Sequence, residues 1–139
     1  MQAQDRGGTY ERALAELRAG RKTSHWMWFV FPQLAGLGRS PMAQEFAISS
    51  LAEAQAYLAH PVLGLRLVAC AEILTTLSGR SAKEIFGSID AMKLRSSMTL
   101  FARAAPDAAV FTQVVGKYFE GSFDELTDRL LGGSRPPGG

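Results

Sequence analysis

The residues best suited to chemistry gather in one stretch, Lys22-Thr23-Ser24-His25-Trp26-Met27-Trp28-Phe29-Val30-Phe31-Pro32-Gln33-Leu34, which holds both tryptophans and one of the two histidines. Indole and imidazole each carry an N–H that needs a partner once buried. Two readings follow. The stretch can be the wall of a pocket for a flat, anionic ligand, with Trp26 and Trp28 as stacking surfaces, Lys22 at the basic edge and His25 as a polar helper. It can equally be a central buried element in which His25 is hydrogen-bonded and inert.

A second stretch, Asp90-Ala91-Met92-Lys93-Leu94-Arg95-Ser96-Ser97-Met98-Thr99-Leu100-Phe101, sets Lys93, Ser96 and Ser97 on one side of a helix and Arg95 with Thr99 on another. Asp90 stands one turn before Lys93 and can pair with it. A helix beginning near Asp90 would place free N–H groups beside these cations, a combination that favours phosphate. The plainer reading is a solvated cationic face. Among the carboxylates, Glu53, Glu84 and Glu125 each follow a serine (Ser50, Ser81, Ser122) by three residues, the form of a capping box, which gives them structural work. Glu72 falls on the polar side of its helix. Glu45 and Asp90 are the freer general acid–base candidates, alongside His25.

Other chemistries are absent from the sequence. There is no glycine-rich dinucleotide loop, P-loop, two-histidine zinc helix or nucleophile elbow. Two histidines in unlike contexts and a single cysteine predict no metal site, and no cofactor is expected. Cys70 sits in an apolar run, where a thiol pKa rises, and reads as a small buried hydrophobe.

The elements that must position these residues read as helices. At 139 residues and 15.0 kDa the chain makes one domain with a core of its own. A net charge of +2 carries no nucleic-acid or membrane footprint. One cysteine excludes an internal disulfide, and neither a signal core nor a membrane-length apolar run is present, so a cytoplasmic location is expected.

Residues 1–8 read as a frayed start, 9–132 as a single helical domain and 133–139 as a disordered tail. Thr9 caps a helix to about Ala19, stopped by Gly20. The aromatic stretch is either a strand or a short helix capped by Ser24 and ended by Pro32. Ser40-Pro41 opens a short helix to about Ala47. Ser50 opens one to about Ala59, and His60-Pro61 starts another to Leu77. Ser81 opens a single turn closed by Gly87, and Ser88 or Asp90 begins the helix to Ala105. Asp107 caps the next, to Tyr118 or Phe119, and the last runs from Asp124 to Leu131. The fold class is mainly α, a compact multihelical domain of about seven helices with at most one short extended segment.

Three segments carry a family resemblance: Lys22–Ser40 (KTSHWMWFVFPQLAGLGRS), Leu51–Leu67 (LAEAQAYLAHPVLGLRL) and Ile85–Phe101 (IFGSIDAMKLRSSMTLF). Together they resemble a bacterial family of uncharacterised proteins that genomes label "calpastatin", grouped with the YbiA-like superfamily that includes the NADAR domains. The resemblance spans about residues 10 to 131 and makes Ala3-Gln4 the remnant of a segment that would begin upstream. It implies a ligand of the ADP-ribose or phosphorylated ribosyl type, and hydrolysis of an N-glycosidic bond as the reaction. Lys93, Arg95, Ser96 and Ser97 would then hold phosphate. The superfamily's serine-valine-glutamate-histidine motif has no counterpart; Ser40-Pro41-Met42-Ala43 is its nearest echo and lacks the acid.

The leading expectation is thus a small enzyme or binder for a nucleotide-sugar or phosphorylated small molecule, with Asp90, Glu45 or His25 assisting the reaction. The contrasting expectation is a non-enzymatic interaction or structural module whose aromatic run is core or dimer interface.

Overall fold

The computed structural model describes residues 8–24, 26–37 and 41–132, without the side chains of Trp28, Met42 and Ala43. His25, residues 1–7 of the frayed start expected over 1–8 and the tail at 133–139 lie outside the described residues. Among the described residues, six helices of seven residues or more carry the fold: α1 (Thr9–Ala19), α4 (Leu51–Ala59), α5 (Leu63–Thr76), α6 (Ala82–Ala104), α7 (Ala109–Phe119) and α8 (Glu125–Leu131). Two short ones, α2 (Met27–Val30) and α3 (Pro41–Glu45), lie between α1 and α4. The extended element expected between them is a single parallel bridge, Leu34 to Ile48. The fold is mainly α and forms one compact domain.

Helices α5 and α6 are the centre. Helix α5 buries Gly64, Leu67, Cys70, Ala71 and Leu74, a stripe at three- and four-residue spacing. It packs against α1, α2, α4 and α7, while α6 packs against α4, α7 and α8. Ser96 through Ala102 are therefore buried on every side of α6, the pattern of a helix enclosed by its neighbours. Burial of Cys70 pushes its thiol up to about 12, which agrees with a packing role.

Chain ends and corners follow local chemistry, with several differences from the sequence reading. Gly8, in the left-handed region, precedes α1, and Thr9 is already helical. Trp26 rather than Ser24 stands before α2, with no side-chain cap. The Ser81/Glu84 pair forms a complete capping box. Ser50 caps α4 through the Glu53 N–H, but the Glu53 carboxylate turns to Ser49 instead. Before α8 the cap is Asp124, which accepts from the Thr127 N–H at 2.9 Å; a carboxylate there displaces Ser122, whose oxygens serve Arg95. Asp107 does not cap α7, whose preceding residue is Ala108. Between α4 and α5, His60 Nδ1 accepts from the Val62 and Leu63 N–H groups at 3.1 Å each, supplying the cap across a corner of 90°.

No single helix among the described residues is long and apolar enough to cross a membrane.

Candidate functional site

The helix that carries Asp90 and Lys93 is broken at Gly87, whose φ of 81° and ψ of 167° interrupt α6. Only glycine adopts that conformation without strain. The short segment before it buries Ile85 and Phe86; the longer one restarts at Ser88, where the sequence expected a helix to begin. The positive end of its dipole falls there.

A cleft of about 460 Å³ opens at this restart, walled by Met27, Phe86 and Ile89 and by the polar residues Lys22, Ser88, Asp90 and Lys93. Lys22 Nζ lies 2.8 Å from Asp90 Oδ2, and Lys93 Nζ 3.7 Å from Asp90 Oδ1. The predicted pairing of Asp90 with Lys93 is present, but the tighter partner is Lys22, whose side chain is only 7% exposed. Two ammonium groups thus face one carboxylate in the cleft. Lys22 Nζ also stands 5.2 Å from the centroid of the Trp26 ring, a cation–π contact that holds it from the other side.

A group the sequence reading missed places Lys22. Glu16, near the end of α1, accepts from the Thr23 N–H at 2.7 Å, the Ser24 N–H at 3.0 Å and the Trp26 indole N–H at 2.9 Å, and from the Ser24 hydroxyl. The backbone of the same loop is tied by Arg21 N–H to the Glu16 carbonyl and by Lys22 N–H to the Ile85 carbonyl. Nothing in the periodicity of α1 marks Glu16, because its donors come from an irregular loop beyond Gly20.

Burial would raise the Glu16 pKa. The hydrogen bonds from Ser24, Thr23 and Trp26 outweigh it and bring the group from 4.5 to about 2. A depressed carboxylate stabilises the fold above its unfolded value and loses that contribution as pH falls through the folded one. Urea unfolding of the protein is therefore expected to show a loss of stability between pH 4.5 and about 2, and Glu16→Gln a shallower one. Parallel pH profiles for the two proteins would exclude this role.

The other predicted site residues separate. Trp26 is 1% exposed and packs edge-on against Phe86 and tilted against Phe31, so it offers no stacking face to a ligand. The Trp28 side chain and His25 lie outside the described residues. Arg95 acts as a clasp: its Nε and Nη2 donate to the Ser122 carbonyl and hydroxyl and to the Phe123 carbonyl, holding the turn before α8. Ser96 and Ser97 are buried, because α6 is enclosed at that level. The Ser96 hydroxyl donates to the Met92 carbonyl. Glu45 is exposed at the end of α3 and does not line this cleft. Of the sequence-predicted residues, the structure brings together Lys22, Asp90 and Lys93. Among the described residues no group of three His, Cys, Asp or Glu side chains could hold a metal ion.

An enclosed α6, broken at a glycine with a cationic cleft at the break, is the arrangement to set beside known proteins. The model of the family described as "Protein of unknown function (DUF1810)" matches residues 1–131, and the chain belongs to that family. A similar solved structure is that of the conserved hypothetical protein Rv1873 from Mycobacterium tuberculosis, 53% identical, with a TM-score of 0.88 over 91% of this chain and 90% of that one. No curated protein matches the chain. The resemblance to the calpastatin-labelled family and, through it, to the YbiA-like and NADAR proteins is corrected by these findings, which point to neither. The aromatic run that helped suggest a stacking pocket has, in Trp26, a core role.

Proposed function

We propose that the cleft at the Gly87 break binds a small phosphorylated compound. The observation that carries this reading is the pair Lys22 and Lys93 around a single Asp90 at the restart of α6. A phosphate there meets two ammonium groups and the positive end of a helix. The volume of about 460 Å³ lies within the range of small-molecule sites. Phosphorylated ribosyl compounds belong to the class, with ADP-ribose as a larger member. If a glycosidic bond is cleaved, Asp90, the carboxylate lining the cleft, would be the group to assist. The unpaired Cys70 agrees with a cytoplasmic setting.

The test is thermal shift against inorganic phosphate, ribose 5-phosphate, AMP and ADP-ribose. A ligand at ten times its Kd stabilises the native state by about 1.4 kcal/mol, and a concentration-dependent rise is expected with ribose 5-phosphate. Lys93→Met should remove the rise. Arg95→Met should lower Tm while leaving the ligand-induced increment in place. A flat response from well-folded protein would shift weight to a second reading, the interaction module, which the burial of Trp26 favours.

A further inference from the structure

A second cleft, of about 390 Å³, adjoins the first. The two share Ile89 and Lys93, so Lys93 stands on the ridge between them. Both have apolar walls, Met27, Phe86 and Ile89 in the first and Met92, Leu126 and Leu37 in the second, but Lys22 and Asp90 line only the first. Two of the polar residues of the second are already engaged. The Ser96 hydroxyl donates to the Met92 carbonyl, and Asp124 Oδ2 accepts from the Thr127 N–H and hydroxyl. Ile89 and Met92, one turn apart on α6, are each 71% exposed, and Leu126 on α8 is 46% exposed. Large apolar side chains grouped in the open mark a surface that meets something apolar. Continuity with the cationic cleft means that one molecule could reach from the lysines across this apolar surface.

We infer that the two clefts form one bipartite site for an amphipathic phosphate monoester, its head between Lys22 and Lys93 and its apolar body across Ile89, Met92 and Leu126. This rests on the phosphate reading given above and narrows it from phosphorylated compounds in general to those with an apolar substituent of several carbons. Lys93 on the dividing ridge can hold the head while the body passes over Ile89 into the second cleft. Such a molecule exists either free or as a lipid in a bilayer, and the two sources present the same chemistry to the site.

The experiment is titration of the full chain with inorganic phosphate and with methyl, butyl and hexyl phosphate, with hexanol as the uncharged control. The readout is the slope of log Kd against chain length. Burial of each added methylene corresponds to about a fourfold gain in affinity at most, so hexyl phosphate is expected to bind at least tenfold tighter than methyl phosphate. Met92→Ser and Leu126→Ser, both at exposed positions, should lower that slope. Sedimentation with phosphatidylcholine vesicles containing phosphatidic acid separates the sources: co-sedimentation identifies a lipid head group, and its absence beside a rising alkyl series identifies a free compound. Equal affinity for methyl and hexyl phosphate would overturn the bipartite site and leave the phosphate reading standing. Failure of inorganic phosphate and every ester to bind would overturn both, and equal binding of hexanol and hexyl phosphate would show an apolar patch without an anion site.

Discussion

Trp26→Ala is expected to lower unfolding stability by about 3–5 kcal/mol, the cost of truncating a fully buried aromatic side chain. The indole is 1% exposed and touches Phe31 and Phe86 with centroids 6.3 and 6.4 Å away, so its removal opens a void that the rings on either side can only partly fill. It also takes one donor from Glu16 and the aromatic face from beneath Lys22. Trp26→Phe separates these effects. It restores most of the packing but leaves the Glu16 oxygen one hydrogen bond short, for a loss of about 1–2 kcal/mol. Urea unfolding at neutral pH checks both. A loss below about 1 kcal/mol for Trp26→Ala would contradict a core role.

Two glycine-to-alanine substitutions are expected to act in opposite directions. In α5, a Cβ on Gly64 would stand 2.0 Å from the Leu58 carbonyl oxygen and 2.7 Å from the Leu58 carbonyl carbon. Both atoms are backbone of α4, so no side chain can turn aside; the corner at His60–Val62 would have to open. Gly64→Ala should cost about 3 kcal/mol or more. In α7, a Cβ on Gly116 meets nothing within 4 Å. Gly116→Ala removes backbone freedom from the unfolded chain and should stabilise by about 0.5–1 kcal/mol. Thermal unfolding of the two variants gives the comparison directly. A neutral Gly64→Ala would mean that the Leu58 carbonyl does not lie against Gly64 as closely as described.

Much of the helical layout could be read from local signals, because those signals act over a few residues. The Ser81/Glu84 box, the break at Gly87 and Gly20 after α1 are all of that kind. Failures occurred where two local options competed or where the partner was distant. Ser122 and Asp124 both could cap α8, and the carboxylate took the position. Arg95 shares a helix face with residues around it, but its partners are the Ser122 and Phe123 oxygens after α7, which no helical wheel displays. Asp90 was paired with Lys93 by three-residue spacing, while the closer ammonium, Lys22, arrives from the loop before α2. For Trp26 the residue type was informative and its direction was not: both a pocket wall and a core element need tryptophan.

The loop between α1 and α2 has a consequence for how a ligand would be met. In many proteins a compact ion gathers backbone and side-chain donors and so gives shape to an irregular segment. Here the Glu16 carboxylate performs that office from within the chain, drawing in Thr23, Ser24 and Trp26. The segment bearing Lys22 is thus shaped before any ligand arrives. A ligand of the kind proposed would then need little rearrangement of this wall, and the ordering entropy that slows and weakens binding to mobile loops would already have been met during folding.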